Sequence, residues 1–448
     1  MKLKFRRVER NIIALAIPLI INNILFTLMG FVDALMVGQL GEDTISAVGN
    51  SAQVQMFLFL IFAAIGQGGS ILIAQYFGAG DEDNVRATTS TTIGAGVFIG
   101  LIVGGATYFF GDTFIWLLTL GKSPEVVRIG ARYLRIISFS YALSVPGNMI
   151  AASLRAVGDT KTAVYIAVAA NALNIFGNWL LIFGIGPFPE MGYAGAAVST
   201  LISQILQALA LIGFTLTRHS KLRFKLSNLF KIVPERLKAI VRIGYPMSVD
   251  GFYWQGARIA YTVIFNAIGS HAYAAYTIVR NLKGMATLPT SGLNTATMIT
   301  VGQELGKNNK VFARLKAYTG LRMSVIIMTI PAVLVIALAG PFVSLFKIAP
   351  VTWNEAFVCT MILGVSIFFT TINSVIPGIL RAGGDTVYVM KVTLLSFLFV
   401  GGPLAFLLGI VFHFGTIGAF VGISLEEVFK AWVFERRMKK GYWLKKII

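Results

Sequence analysis

The sequence predicts an all-α integral membrane protein with twelve transmembrane helices in two parallel six-helix lobes. Three features support this fold class: a composition that is 56% apolar and 13% charged, long uninterrupted apolar segments, and a repeat that relates the two halves of the chain. Soluble domains carry about a quarter charged residues, roughly twice the fraction found here. The composition is too apolar for a disordered chain, and a single cysteine, Cys359, excludes a disulfide-rich scaffold.

The apolar segments are long enough to cross a membrane as helices, which requires about 20 mostly apolar residues each. They are too continuous for the alternating strands of a membrane barrel. The first segment follows a basic N-terminus, but it is too long for the apolar part of a signal peptide and it contains Asp33. The predicted spans lie near 12–38, 48–77, 88–111, 128–153, 162–184, 192–216, 239–267, 274–305, 316–339, 354–379, 387–411 and 415–434.

The formal net charge of +19 fits either nucleic-acid binding or a membrane orientation signal. The basic residues form short clusters between apolar segments without a nucleic-acid-binding motif, so we expect no nucleic-acid partner. The clusters are strongest before the first span, within 217–238 and after residue 435. With twelve spans these regions share one face of the membrane. Because cytoplasmic loops are enriched in Lys and Arg, both termini are predicted to be cytoplasmic in a protein of the cytoplasmic (inner) membrane.

A duplication relates the two halves of the sequence. Five residues of the first half recur at an offset of 228, as the pairs Pro18 and Pro246, Gly41 and Gly269, Ala47 and Ala275, Gln75 and Gln303, and Gly78 and Gly306. A seven-residue motif at 154–160 recurs at 380–386. Each half holds six spans, so both halves begin on the same side of the membrane. The predicted lobes are therefore related by a pseudo-two-fold axis along the membrane normal, as in transporters with parallel repeats.

The repeat defines the predicted domains. The N-terminal lobe covers 1–216 and contains the predicted ion-coupling site. A basic cytoplasmic linker covers 217–238 and includes an amphipathic segment at 226–233 that we expect on the membrane surface. The C-terminal lobe covers 239–448 and ends in a basic cytoplasmic tail.

Asp33 is the strongest candidate for a functional charge, because an ionisable residue inside a span costs at least a few kcal/mol and usually faces an internal cavity. Spans one, five and six bring Asp33, the i,i+4 pair Asn174 and Asn178, and Thr200 to a similar depth. A carboxylate held away from water can exchange a proton near neutral pH, and amide and hydroxyl oxygens are hard ligands suited to an alkali cation. The alternative for the three neutral residues is structural hydrogen bonding between helices.

Several short motifs occur in a fixed order along the chain. They are VD at 32–33, VGQLG at 37–41, AQYFG at 74–78, LRAxGDT at 154–160 and 380–386, and NxxxN at 174–178 followed by IFG at 182–184. In these motifs and in their duplication, the chain resembles the multidrug and toxic compound extrusion (MATE) family along nearly its whole length. It resembles the DinF-like and archaeal-type branch more than the NorM-like branch.

The resemblance implies roles for the N-terminal residues. Asp33 matches the coupling carboxylate, and Pro18 matches a proline that lets span one bend as that carboxylate changes state. Asn174 and Thr200 match members of the ion and water network. Asn178 departs from the family, because many relatives carry a second aspartate there, and this difference favours Asp33 as a single proton acceptor. The alternative is a sodium site at Asp33, Asn174 and Thr200; we expect no other metal and no cofactor besides the proton or sodium gradient.

The C-terminal half carries its own charged residues within predicted spans: Asp250, Arg280, Lys283, Glu426 and Glu427. We expect Asp250 to pair with Lys283, and Glu426 to pair with Lys430 at i,i+4. In the NorM-like branch a glutamate of span seven binds the cation, and the aligned residue here is Trp254, so that site is absent. The candidates for lining the cavity are Tyr133, Asn148, Gln204, Asp250, Lys283 and Glu427.

The sequence and the resemblance together predict a secondary-active multidrug exporter. It would exchange protons, or sodium ions, for amphipathic and mostly cationic organic compounds, and would work in the lipid bilayer as a monomer. The sequence contains no phosphate-binding loop, HExxH motif or catalytic cluster, so we do not expect an enzyme, not even an intramembrane one. A lipid-linked oligosaccharide flippase of the same superfamily is the alternative, favoured only by Arg280 and Lys283.

Overall fold

The computed structural model describes residues 2–217, 220–222 and 233–448, and every regular element within them is a helix. Most of the predicted basic linker, and all of its amphipathic segment except Val233, lie outside these residues. The helices are α1 (Lys2–Gly38), α2 (Glu42–Ala79), α3 (Glu82–Thr119), α4 (Pro124–Ser138), α5 (Tyr141–Ala156), α6 (Thr160–Phe183), α7 (Tyr193–Leu216), α8 (Pro234–Ile268), α9 (Ser270–Ala286), α10 (Leu288–Gly306), α11 (Lys310–Ala337), α12 (Ala339–Ser344), α13 (Pro350–Ala382), α14 (Thr386–Ser396), α15 (Gly402–Phe406) and α16 (Gly415–Lys440). Two π-helical segments, Phe397–Gly401 and Leu407–Val411, flank α15.

Each of the twelve predicted spans coincides with one helix or with consecutive helices. The fourth span consists of α4 and α5 with a 62° bend between them. Eight helices of the described chain are long and apolar enough to cross a membrane, and the bent pair raises the number to nine. The predicted spans that fall short of this criterion are 239–267, 274–305 and 415–434. The charged residues Asp250, Arg280, Lys283, Glu426 and Glu427 lie in these three spans, and within 274–305 the helix α9 has only 17 residues.

The chain divides into two compact units that do not coincide with the two halves of the sequence. One unit comprises the residues up to Ile20 together with Val249–Ile448, and the other comprises Ile21–Ser248. Both boundaries fall two residues after a repeated proline, Pro18 within α1 and Pro246 within α8. The first part of each of these helices thus belongs to the unit formed mainly by the other half of the chain. The lobes at 1–216 and 239–448 remain a prediction.

The exchanged helix segments pack through backbone contacts that are equivalent in the repeat. A Cβ atom on Gly244 of α8 would lie 2.1 Å from the carbonyl oxygen of Ala64 in α2. In the other unit, a Cβ atom on Gly292 of α10 would lie 3.2 Å from the carbonyl oxygen of Ala16 in α1. The offset of 228 relates Ala16 to Gly244 and Ala64 to Gly292. The same close crossing therefore occurs twice. The glycine that permits it lies on α8 in one unit, and in the other unit it lies on α10, which is the repeat equivalent of α2 and not of α8.

The duplicated LRAxGDT motif forms the same turn in both halves. Gly158 and Gly384 have φ angles of 86° and 80°, in the left-handed region that glycine adopts without strain. Asp159 then caps α6 by accepting a hydrogen bond from the Thr162 backbone N–H at 3.2 Å. Asp385 makes no such cap and instead accepts two hydrogen bonds from Arg437 of α16. The backbone of the motif is retained while its aspartates act differently.

Replacing Gly244 with alanine should destabilise its unit, because the added methyl group overlaps the Ala64 carbonyl oxygen. Overpacking of this kind costs about 1–3 kcal/mol, so the purified protein in detergent should unfold at a clearly lower temperature. Gly256→Ala is the matched control, since it lies on the same helix and a Cβ there would meet no atom within 4 Å. Equal melting temperatures for the two variants would contradict the close α2–α8 crossing.

Candidate functional site

The predicted ion-coupling residues lie where α6 and α7 approach closely. A Cβ atom on Gly177 would lie 2.5 Å from Ser199 Oγ, and one on Gly195 would lie 2.4 Å from the Leu181 carbonyl oxygen. The Ser199 hydroxyl donates a hydrogen bond to the Asn174 carbonyl oxygen at 2.8 Å. Small residues and this bond together hold the polar side chains of the two helices at a fixed separation.

Asn174 and Thr200 are in direct contact across these helices. The Asn174 amide lies 3.3 Å from Thr200 Oγ1 and 3.3 Å from Ser199 Oγ. Thr200 Oγ1 donates to the Ala196 carbonyl oxygen at 2.9 Å, and the buried Tyr133 hydroxyl of α4 also hydrogen-bonds Thr200. A hydroxyl has one donor and two acceptor positions. The Ala196 carbonyl thus accepts the hydroxyl proton of Thr200, and the Asn174 amide uses one of its two acceptor positions.

Asp33 of α1 contacts the second amide of the pair. The Asn178 Nδ2 atom donates to Asp33 Oδ1 at 2.7 Å, and Asp33 is only partly buried. Asn178 is 2% exposed, and its Oδ1 atom has no hydrogen-bond partner among the described residues. Asp33 forms no ion pair within the described chain, since its single protein partner is the neutral amide. The carboxylate is thus placed where its charge has little compensation.

The other residues predicted for the N-terminal half have local partners. Gln204 accepts a hydrogen bond from Ser140 at 2.6 Å. Asn148 is exposed, and its amide donates to the Ser144 carbonyl oxygen of its own helix. Pro18 belongs to the other compact unit, and α1 continues through it as one helix. No group of three His, Cys, Asp or Glu residues able to hold a metal is found in the described ranges.

The predicted pairing of Asp250 with Lys283 is wrong. Asp250 is bound by Arg381 of α13 at 2.7 Å, and Lys283 is bound by Glu427 of α16 at 3.1 Å. Asp250 precedes the α8–α9 turn at Gly269 by nineteen residues, whereas Lys283 follows it by fourteen. In antiparallel helices with a rise of 1.5 Å per residue, this difference separates the two side chains by about 7–8 Å along the helix axes.

Glu427 is the centre of a buried charge network. Besides Lys283, it accepts a hydrogen bond from Asn373 Nδ2 at 2.7 Å and lies 3.7 Å from Lys430 Nζ. The predicted pair of Glu426 and Lys430 is confirmed at 2.9 Å, and both side chains are buried. Two lysine ammonium groups and one asparagine amide thus surround the Glu427 carboxylate.

Glu426 has a second partner that depends on the π-helical segment before α15. The Tyr261 hydroxyl donates to Glu426 Oε2, and a Cβ on Gly401 would lie 2.1 Å from that oxygen. Only a residue without a side chain leaves room for this bond. Single π-helical turns often occur at functional sites, and here the segment creates space for a buried tyrosine–carboxylate contact.

A polar cavity of about 330 Å³ adjoins this network, and Asp250 and Glu427 line it. Its other polar lining residues include Asn294, Asn373, Arg381 and Lys430. The Oδ1 atoms of Asp250, Asn294 and Asn373 are buried and have no partner in the described parts of the chain. These three acceptors are enclosed by the packed helices beside the cavity. Asn373 was not predicted, although an amide within an apolar span is itself a signal.

The fold and these sites are those of an all-helical membrane transporter, with a weakly compensated carboxylate in one unit and a polar cavity in the other. The MatE family model matches residues 18–180 and 246–407, one match in each half of the duplication. The chain belongs to this family of MATE transporters, which is a transporter family and not a class of enzymes.

Individual MATE proteins resemble the chain over most of its length. It is 27% identical over 445 residues to a probable multidrug resistance protein NorM of Thermotoga maritima, covering 98% of this chain and 94% of that protein. It is 28% identical over 420 residues to the probable multidrug resistance protein YoeA of Bacillus subtilis, covering 93% and 90%. A crystal structure of MATE in the bent conformation superposes with a TM-score of 0.89 at 21% identity, covering 98% and 96%. This likeness confirms the predicted fold class.

Replacing Glu427 with glutamine should strongly destabilise the unit that contains α16, because Lys283 loses its carboxylate partner. Removing one member of a buried ion pair typically costs about 3–5 kcal/mol. Glu435→Gln is the control, since Glu435 pairs with Lys439 on the exposed part of the same helix, where such pairs contribute little. Thermal unfolding in detergent measures both, and equal small effects would contradict the network.

Proposed function

We propose that the chain is a secondary-active exporter in which protonation of Asp33 drives the efflux of amphipathic, mostly cationic organic compounds. The observation that carries this proposal is the weak compensation of Asp33, whose protein partner is the neutral Asn178 amide. A charge within a span is costly unless it is paired, hydrated or neutralised. Uptake of a proton removes that cost reversibly. The two relatives named as probable multidrug resistance proteins support efflux as the process that this cycle serves.

The hydrogen bonds favour a proton over sodium as the coupling ion. A sodium ion at Asp33, Asn174 and Thr200 would need an oxygen lone pair from Thr200, and it would compete there with the Asn174 amide, which already donates to that oxygen at 3.3 Å. The neutral Asn178 also leaves Asp33 as the single carboxylate of the site. A proton needs only an acceptor, which the carboxylate itself provides.

The gradient is sufficient for useful export. Moving one elementary charge across 100 mV corresponds to about 2.3 kcal/mol. Exchange of one proton for one monovalent organic cation cancels this electrical contribution. The pH difference then contributes about 1.4 kcal/mol per unit, which corresponds to tenfold accumulation per pH unit.

The bend that couples protonation to transport is proposed at Pro18. Proline has no N–H for the helical hydrogen bond, so a helix bends there at lower cost. Pro18 lies fifteen residues before Asp33, and the chain passes from one compact unit to the other just after it. A change in the charge of Asp33 would then alter how the part of α1 after Pro18 packs in the unit that contains Asp33.

The proposed family branch depends on a single residue, and the proposed membrane orientation depends on the charge distribution. We propose that the chain groups with the DinF-like branch, because Trp254 occupies the position of the NorM-like glutamate. The distribution of basic residues supports cytoplasmic termini, a cytoplasmic-membrane location and the lobes at 1–216 and 239–448. We also propose that a single chain is the functional unit.

Asp33→Asn should abolish efflux driven by a pH gradient, because the amide cannot take up the proton. We expect less than a tenth of wild-type ethidium efflux from proteoliposomes under an imposed pH gradient. Asp43→Asn, in the exposed first turn of α2, is the matched control and should retain full activity. Wild-type efflux by Asp33→Asn would contradict the proposal, and efflux driven by a sodium gradient alone would contradict the choice of ion.

Asn178→Asp should increase sodium dependence, because it introduces a second carboxylate at hydrogen-bond distance from Asp33. Two adjacent carboxylates cannot both remain ionised without a shared proton or cation. We expect sodium to stimulate efflux by this variant at concentrations at least tenfold lower than any sodium effect on the wild type. Asn308→Asp, which adds the same charge at an exposed position in the turn before α11, should show no such change.

A further inference from the structure

Two arginines within predicted spans of the C-terminal half have no carboxylate partner. Arg258 of α8 and Arg280 of α9 form no ion pair within the described ranges, whereas Lys283, Lys430 and Arg381 each do. Both line one cavity of about 220 Å³. An unpaired charge inside a span indicates a functional site by default, and here there are two of the same sign.

The two arginines lie at equivalent distances along the chain from the α8–α9 turn. Each arginine is eleven residues from Gly269, the residue that joins α8 to α9. This distance corresponds to about 16 Å along the helix, half of a hydrocarbon core about 30 Å thick. The Arg280 guanidinium lies 5.5 Å from the centroid of the Tyr276 ring, which lines the same cavity. At this depth the phosphate groups of surrounding lipids are too distant to neutralise them.

The remaining charges of the cavity are balanced. Lys283 is paired with Glu427, and Lys430 is paired with Glu426. The two unpaired arginines therefore leave the lining with a formal excess of two positive charges. An anion is the ligand that removes this excess, and the planar guanidinium group suits a carboxylate or sulfonate because it can donate two parallel hydrogen bonds.

The walls of the same cavity are rich in aromatic side chains. They are Tyr253, Trp254, Tyr261, Tyr276 and Phe420. Aromatic faces stack on flat apolar ligands and provide a large contact area. A cavity with this lining and volume suits a small aromatic body that carries one acidic group.

We propose that this cavity binds an amphipathic aromatic anion, with its acidic group held by Arg258 and Arg280 and its ring system against Trp254 and the tyrosines. This site goes beyond the proposed exporter of organic cations: it lies in the unit without Asp33 and takes the opposite charge. It requires no proton transfer and no gradient. Equilibrium binding therefore tests it independently of transport.

The test compares naphthalene ligands that differ mainly in charge. Isothermal titration of the full-length protein in detergent should show 1-naphthoate binding at least tenfold more tightly than 1-naphthylmethylammonium. The double variant Arg258→Gln, Arg280→Gln should lose at least tenfold in affinity for 1-naphthoate. Arg242→Gln is the control, because Arg242 is exposed on the first part of α8 and does not line the cavity.

Two results would overturn the proposal: a wild-type preference for the ammonium ligand, or unchanged 1-naphthoate affinity in the double variant. If the double variant does not fold, Arg280→Lys tests only the two parallel hydrogen bonds of the guanidinium group. Lysine keeps the charge but cannot donate two parallel hydrogen bonds, so 1-naphthoate affinity should fall severalfold and ammonium binding should stay unchanged. Unchanged 1-naphthoate affinity in this variant counts against the site. None of these results bears on the role of Asp33, which the efflux experiments test separately.

Discussion

The cost of holding a charge away from water divides the charged residues within the helices into two groups. Asp250 and Glu427 have cationic partners at 2.7 and 3.1 Å, so their charges are neutralised within the fold. Asp33, Arg258 and Arg280 have no oppositely charged partner in the described chain. The first group stabilises the packing of helices, whereas the second has residual charge that a proton or a ligand can remove. Function is therefore expected where compensation is incomplete.

The helices could be predicted from the sequence because length and hydropathy determine whether a segment crosses a membrane. All twelve predicted segments are helical, including those that contain charged residues. The partner of Asp250 could not be predicted, because it depends on the relative depth of residues on neighbouring helices. Arg381 belongs to the LRAxGDT motif, in which the sequence indicates only a local turn. The contact between Arg381 and Asp250 depends on the packing of α8 against α13, and it is visible only in the structure.

The exchange of helix segments between units was also beyond the sequence. Glycine and alanine are frequent in membrane helices, and nothing in the pattern distinguishes Gly244 from other glycines. Its importance depends on the crossing with Ala64, which the repeat makes again with Ala16 and Gly292. A contact of this kind constrains the helix backbones within each unit. It explains why the backbone of the repeat persists although the side chains of the two halves have diverged.

That divergence gives the two halves different chemistry at equivalent positions. The offset of 228 relates Asp33 to Tyr261, so the carboxylate of the first half is replaced by a hydroxyl in the second. Tyr261 in turn donates to Glu426, whose charge Lys430 compensates. A titratable group with a fixed cation beside it is a poor carrier of a single proton, because its charge is already stabilised. Within the described residues, the carboxylate at this position of the repeat is thus weakly compensated only in the first half, which is the property that the proposed coupling by Asp33 requires.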